Sequence, residues 1–231
     1  MTRILYDLAG ADPALRFSPF CWRVRLALAH KGLEVETLPW RFTEKERIAF
    51  TGQPLVPVLV DGDTSLHDSW AIACWLEDTY PDRPSLFGGA TGRAHARFVN
   101  GWADSVLHPG VAKLVVRDIL DCIAPEDRAY FRESREKRFG MPLEQVVAGR
   151  EEGVVEFRKA LQPLRLTLRA QPWLGGGAPS YADYIAFGAF QWARCVSAFR
   201  LLEPGDPVAA WRGRVMDLFD GLARRAPGHE V

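Results

Sequence analysis

Three short groups of residues carry side chains whose types and spacing suit the binding and activation of an anion. The first is Ser18-Pro19-Phe20-Cys21-Trp22-Arg23. Phe20, Val24, Ala27 and Leu28 recur at i, i+4, i+7 and i+8, which predicts a helix with one apolar face. Pro19 suits its first position and Gly32 the residue past its end, so Ser18 falls at the N-cap. A helix N-terminus presents unpaired N–H groups and a partial positive charge. A serine hydroxyl at that point adds a donor for a thiolate, an oxyanion or a phosphate. The second group is Val56-Pro57, inside the apolar run 55–60. Proline cannot donate to a sheet ladder, and a cis bond would bend the entry to a strand and expose the Val56 backbone. The third is Asp68-Ser69, which opens a helical pattern from Trp70 to Tyr80 stopped by Pro81. A carboxylate beside free N–H groups suits both ends of an amino acid. The acid takes the ammonium, while Ser69 and the backbone take the carboxylate.

The elements that must position these groups follow from the pattern. Strands are expected over 3–8, 34–39, 55–60 and 64–67, with Asp61-Gly62 as a hairpin turn. Helices are expected over 19–31 and 68–80, with one or two helical turns in the polar segment 43–51. This order suits a small mixed sheet whose first two strands run parallel, because a helix crosses between them. Residues 81–92 hold two prolines and three glycines and read as a linker. After it, helices are expected over 93–121, 125–139, 143–171, 181–199 and 207–223. His108-Pro109-Gly110 should kink the first of these. Ser180 and Asp183 have the spacing of a capping box at the start of an apolar-striped helix, a structural role. The charge-dense run from Glu126 to Arg138 reads as a solvated helix face. The fold class is thus α/β plus all-α.

Composition excludes several functions. Apolar residues make up 48% of 231, enough for a substantial core, and 29 basic side chains balance 29 acidic ones. No electrostatic footprint for nucleic acid or for an anionic membrane surface is present. No run approaches the length of a membrane span, and the first residues do not read as a signal peptide. The four cysteines, Cys21, Cys74, Cys122 and Cys195, are far apart and no pair has zinc-ligand spacing, so no metal is expected. Reduced thiols in the cytoplasm are the default.

Taken together, the strand, the Ser-Pro-x-Cys-Trp-Arg helix, the Val-Pro before a strand and the acid–Ser pair resemble the thioredoxin-like half of glutathione transferases. Ser180-Tyr181-Ala182-Asp183 is similar to the Ser/Thr-x-x-Asp box of that family's helical half. The resemblance covers roughly residues 3 to 223. Phe42-Thr43-Glu44-Lys45, Tyr80-Pro81-Asp82-Arg83-Pro84 and Leu218-Phe219-Asp220-Gly221-Leu222 look most like the branch containing bacterial β-etherases and fungal-type transferases.

The resemblance implies a thioredoxin-like N-terminal domain over 1–81, a linker over 82–92 and an all-helical C-terminal domain over 93–231. It implies a cytoplasmic homodimer that takes glutathione as co-substrate and a small-molecule electrophile. Ser18 would stabilise the thiolate, Val56 and Pro57 would present the backbone that pairs with glutathione, and Asp68 and Ser69 would take its γ-glutamyl end. Gln53, Lys45 and Arg41 are candidates for its glycine carboxylate. The electrophile would lie against Phe20, Trp102, Leu107, Val111 and Leu114, with the loop 9–17 as a further wall.

The expected reaction is attack of the thiolate on an electrophilic, aromatic carbon, with β-aryl ether cleavage as its sharpest form. Three rivals remain at this stage. One is a glutathione-dependent thiol–disulfide reductase using Cys21, and another is a non-catalytic carrier of hydrophobic ligands. The third is a dicarboxylate isomerase, disfavoured by the few basic residues assignable to a cleft.

Overall fold

The computed structural model describes residues 3–230. Residues 1, 2 and 231, the outer ends of the two expected domains, lie outside the described residues. Strand β1 (Ile4–Leu8), helix α1 (Pro19–His30) and strand β2 (Glu36–Trp40) make a crossover unit with β1 and β2 parallel. A 3-10 helix over Lys45–Thr51 leads to β3 (Val58–Asp61) and β4 (Thr64–His67). The sheet order is β2-β1-β3-β4, with β3 antiparallel to both neighbours. Helix α2 (Ser69–Thr79) completes a thioredoxin-like unit. The second strand begins two residues later than expected because its ladder starts where β1 does, with Ile4 opposite Glu36. The third begins at Val58, since Pro57 has no N–H to offer.

A helical unit follows: α3 (Ala90–Trp102), α4 (His108–Val115), α5 (Ile119–Cys122), α6 (Pro125–Phe139), α7 (Leu143–Val146), α8 (Arg150–Ala160), α9 (Gln162–Ala170), α10 (Tyr181–Val196) and α11 (Pro207–Gly221). The kink expected at His108-Pro109-Gly110 takes the form of a π turn over Ala103–Leu107, one step earlier. Pro109 lacks an N–H, and its ring would strike the carbonyl of Ser105 in a regular helix. A wider turn before it relieves that contact. The run 143–171 is three helices, broken at Gly149 and by Pro163 in the first turn of α9. No helix among the described residues is long and apolar enough to cross a membrane.

Helix α10 is the axis of the molecule, and every residue from Tyr181 to Gln191 is buried. It packs along α1, which joins the two units into one core. Gly188 permits this, because a Cβ there would sit 2.6 Å from the Pro19 carbonyl oxygen. The start of α1 therefore rests on the α10 backbone. The expected capping box is present at Ser180 and Asp183. Asp183 does more than cap: its carboxylate also accepts from the Leu174 N–H at 2.8 Å, the Gly175 N–H at 3.2 Å and the Trp211 indole at 2.9 Å.

Candidate active site

Ser18 caps α1 in an extended conformation, and its Oγ accepts from the Cys21 N–H at 3.2 Å. Pro19 has no N–H, and the Trp22 N–H donates to the Ser18 carbonyl at 3.0 Å. The first turn therefore leaves the Phe20 N–H without a backbone partner among the described residues, while the Ser18 hydroxyl stands between the Cys21 sulfur behind it and the cleft in front. Ser18 lines a cleft of about 730 Å³ together with Pro19 and Phe20.

Cys21 lies directly behind and has no exposure. Burial pushes its thiol well above the ordinary range, and the neighbouring Asp7 carboxylate adds to this, while the Ser18 hydroxyl works against it. Burial likewise raises Cys74, Cys122 and Cys195, the last to about 12. None of the four has the character of an activated nucleophile. The reductase reading thereby loses its attacking group.

The Val56–Pro57 bond is cis, as expected, and Val56 lines the cleft. Neither the N–H nor the carbonyl of Val56 has a backbone partner among the described residues. Val58 stands opposite His67 in the β3–β4 ladder, so extending the register places Pro57 and Val56 beside Asp68 and Ser69. Asp68 caps α2 through Oδ1, which accepts from the Ala71 N–H at 2.9 Å. Its φ of 69° is unusual for a non-glycine residue, and such strained residues collect at ligand sites. Asp68 is exposed and Ser69 is buried, and both lie outside the cleft lining, along the sheet edge that leads from it.

Gln53 does not present a binding group. Its amide donates to Thr51 Oγ1 at 3.0 Å and to the Leu55 carbonyl at 2.8 Å, and its oxygen accepts from the Leu55 N–H at 2.8 Å. It braces its own loop. Arg41 is spent on the Gly10 and Ala11 carbonyls. Lys45 is the candidate left with an available cation, 4.3 Å from the centre of the Tyr130 ring.

The far wall differs from the sequence expectation. Of the residues proposed for the electrophile, Phe20 lines the cleft. Leu107 and Val111 have no exposure and belong to the core, while Trp102 packs half-buried against it. Leu114 lines a second cavity of about 480 Å³ between α4 and α8. The apolar stripe of this segment faces inward, and the cleft is lined instead by Asp104, His108, Ala112 and Val116, each four residues from the last. The loop 9–17 does not wall the cleft between its ends either. The Ala11 N–H donates to the Cys122 carbonyl at 2.8 Å, which ties the loop to the end of α5.

The wall missing from that expectation is α6. Tyr130, Phe131, Ser134, Arg135, Arg138 and Phe139 all face the cleft, joined by Trp40, Phe42 and Trp192. The charge density of 126–138 hid a face with helical spacing, 130, 131, 134, 135, 138 and 139, that carries three aromatic and two basic residues. That periodicity was the available signal.

A polar clasp joins the two units beside Phe20. Arg23 is buried, donating to Asn100 Oδ1 at 2.9 Å and to Asp104 Oδ1 at 3.2 Å. Asp104 Oδ1 also lies 3.1 Å from His108 Nδ1, and His108 Nε2 lies 3.4 Å from the Arg23 guanidinium. A guanidinium only donates, so Nε2 accepts and the ring proton sits on Nδ1, aimed at Asp104. Burial lowers the His108 pKa against the opposing Asp104 hydrogen bond, which keeps the ring neutral near pH 7. Burial alone would raise Asp104, but the His108 hydrogen bond and the Arg23 charge bring it below the usual range. The His108 ring packs 5.0 Å from that of Phe20.

Comparison with known proteins places this geometry. Residues 13–84 match the N-terminal domain of glutathione S-transferases and residues 94–218 match the C-terminal domain. A probable glutathione S-transferase of Oryza sativa subsp. indica is 29% identical, over 92% of this chain and 87% of the relative. A glutathione S-transferase Z2 of Arabidopsis thaliana is 36% identical, but the match spans 38% of this chain and 40% of that relative. Among solved structures, a glutathione transferase of Phanerochaete chrysosporium superposes with a TM-score of 0.82, at 24% identity, covering 93% of this chain and 96% of that one. A glutathione S-transferase of Ceriporiopsis subvermispora, solved in complex with glutathione, gives 0.80 at 22% identity, covering 98% and 99%. At these identities the structural likeness speaks for the fold.

Proposed function

The chain belongs to the glutathione S-transferase family, and on that premise we propose that it transfers the glutathione thiolate to an electrophilic aromatic carbon. The observation that carries this reading is the open helix start at Ser18, set in the floor of an aromatic-walled cleft. Glutathione would lie along Val56 as an added strand, pairing with its unpartnered backbone groups. Its ammonium would meet Asp68, its γ-glutamyl carboxylate Ser69 and the start of α2, and its glycine carboxylate Lys45. The sulfur then reaches Ser18.

A free thiol with pKa near 8.5 is about 3% ionised at pH 7. Lowering it by one unit takes roughly 1.4 kcal/mol. A partly buried helix N-terminus supplies up to about 2 kcal/mol, and a hydrogen bond from the Ser18 hydroxyl adds about 0.5–1.5 kcal/mol. The two donors at Ser18 and Phe20 are therefore sufficient without a general base. The thiol proton passes to solvent, the sulfur lone pair forms the C–S bond, and the leaving group departs with the electron pair of the bond it breaks. An aryl ether oxygen is the leaving group in the sharpest version. We place the protein in the cytoplasm and infer a homodimer, whose contact the exposed Phe98 and Phe50 side chains could serve.

Calorimetry with glutathione, followed by a turnover screen with halogenated nitroarenes and β-aryl ethers, tests the reading. Glutathione should bind and raise the melting temperature, and arene turnover should require it. Binding without turnover of any arene would instead favour the carrier.

A further inference from the structure

Helix α6 has two faces with opposite electrostatic character. On the outer face Arg132 is fully paired, with Glu136 Oε1 at 2.8 Å and both Glu144 oxygens at 2.8 and 2.9 Å. On the cleft face, Arg135 and Arg138 have no carboxylate partner among the described residues. Arg135 donates to the Ser134 hydroxyl at 3.0 Å and otherwise lies against rings, its guanidinium carbon 4.8 Å from the centre of Phe131 and 5.5 Å from that of Phe42. Burial pushes its pKa down to about 10, and the like charge of Arg138 adds to this. The half-buried charge of Arg135 without a counter-ion is costly, and Arg138, exposed at the rim of the same wall, adds a second charge of the same sign. The acid that shares the cleft, Asp104, is already neutralised by Arg23. The wall therefore holds positive charge that no carboxylate among the described residues pairs with.

We propose that the electrophile carries an acidic group on its aromatic ring, and that Arg135 and Arg138 bind that group while the ring lies against Phe42, Tyr130 and Phe131. This rests on the transferase reading above and names the substrate class of the same cleft. A guanidinium offers paired N–H donors that match a carboxylate or sulfonate, and its flat face stacks on rings. The cation–ring contacts of Arg135 hold its fork in place before the ligand arrives. The objection that the cleft lacks basic residues falls away with these two side chains.

The other available anion is the glycine carboxylate of glutathione itself, and the experiment separates the two. Two electrophiles with the same leaving group, 4-chloro-3-nitrobenzoate and 4-chloro-3-nitrobenzamide, are compared with saturating glutathione. Each rate is divided by that of the uncatalysed reaction with the glutathione thiolate, which removes the difference in ring reactivity. In Arg135→Gln and Arg138→Gln the corrected kcat/KM for the acid should fall about tenfold or more, the loss of one charged hydrogen bond. The amide should change by less than about twofold, and Arg135→Lys should restore part of the loss. Equal losses on acid and amide would overturn the proposal, as would variants that change only the KM for glutathione when glutathione is varied at fixed chloroarene. Calorimetric titration of the glutathione-saturated protein with 4-nitrobenzoate and 4-nitrobenzamide gives a readout independent of turnover. Tighter binding of the benzoate that disappears in Arg135→Gln supports the anion site even if neither chloroarene reacts, a result that would count against the transfer reading alone. Equal affinity for the two rejects the anion site even if both chloroarenes are turned over.

Discussion

Two helices that pack against each other, α1 and α10, both begin with a serine N-cap, and the two starts are put to opposite uses. At Ser180 the N3 residue is Asp183, whose carboxylate reaches back to the Ser180 N–H at 2.9 Å and also holds Leu174, Gly175 and Trp211. Asp183 has no exposure, and its acceptor capacity is consumed inside the fold. At Ser18 the N3 residue is Cys21, whose buried thiol meets the Ser18 hydroxyl but carries no charge to absorb the helix start's donors. The Phe20 N–H has no backbone partner among the described residues, the Ser18 hydroxyl has only a neutral thiol behind it, and both residues line a cleft. The same residue at the same helix position is structural where its neighbours absorb the free donors, and open to a ligand where they do not. The third start, Asp68 at α2, lies between the two: one carboxylate oxygen caps, and the group remains exposed.

The largest effect expected from this contrast is at the closed start. Asp183→Ala removes one carboxylate and strands five donors, three of them backbone N–H groups, one a hydroxyl and one an indole. A loss of about 3 kcal/mol or more in unfolding free energy should follow, read from denaturant titration. The fraction that remains folded should bind glutathione with unchanged affinity. Weakened binding in folded protein would show that the α10 cap reaches the ligand site and would break the contrast.

How much of this was legible in the residues divides along the same line. Local chemistry was readable: Ser18 and Asp68 as caps, the box at Ser180 and Asp183, the parallel crossover of the first two strands and the hairpin at Asp61-Gly62. Each depends on neighbours within a few positions or on one connecting helix. The far wall of the cleft was not. On the segment after the linker the apolar residues Leu107 and Val111 drew the eye, yet apolar periodicity marks the face that meets the core. The cleft took Asp104, His108 and Ala112 from the next face. Arg135 read as solvent charge because the rings that shelter it, Phe42 and Phe131, come from both units, and the exposed Arg138 beside it read the same way. Gln53 was a plausible ligand group by type, and only the conformation of its own loop shows that its hydrogen bonds are already made.

The next effect in size belongs to the half-open start. Asp68→Ala deprives the glutathione ammonium of its charged partner and should raise the glutathione Kd about tenfold or more by calorimetry. Asp68→Asn keeps the acceptor for Ala71 and so separates the cap from the charge. If Asn binds glutathione as well as Asp, the charge is not what holds the ligand, and Asp68 is a cap like Ser180.

The smallest effect should come from the fully open start, because its two donors share one task. Ser18→Ala removes the hydroxyl and leaves the Phe20 N–H in place, so turnover should fall by about tenfold and not by several orders of magnitude. Loss of the cap should also cost about 1 kcal/mol of stability, measured separately by denaturant titration. The bound thiol should titrate at higher pH in the variant, followed by thiolate absorbance in the ultraviolet. The sign follows from the donor: a hydrogen bond to the charged form holds the pKa down, and removing it lets the pKa rise. Cys21→Ala supplies the control, since a buried thiol raised by desolvation should contribute nothing to transfer onto carbon. A silent Ser18→Ala together with an inactive Cys21→Ala would reverse the two roles and make the buried sulfur, and not the open helix start, the seat of the chemistry.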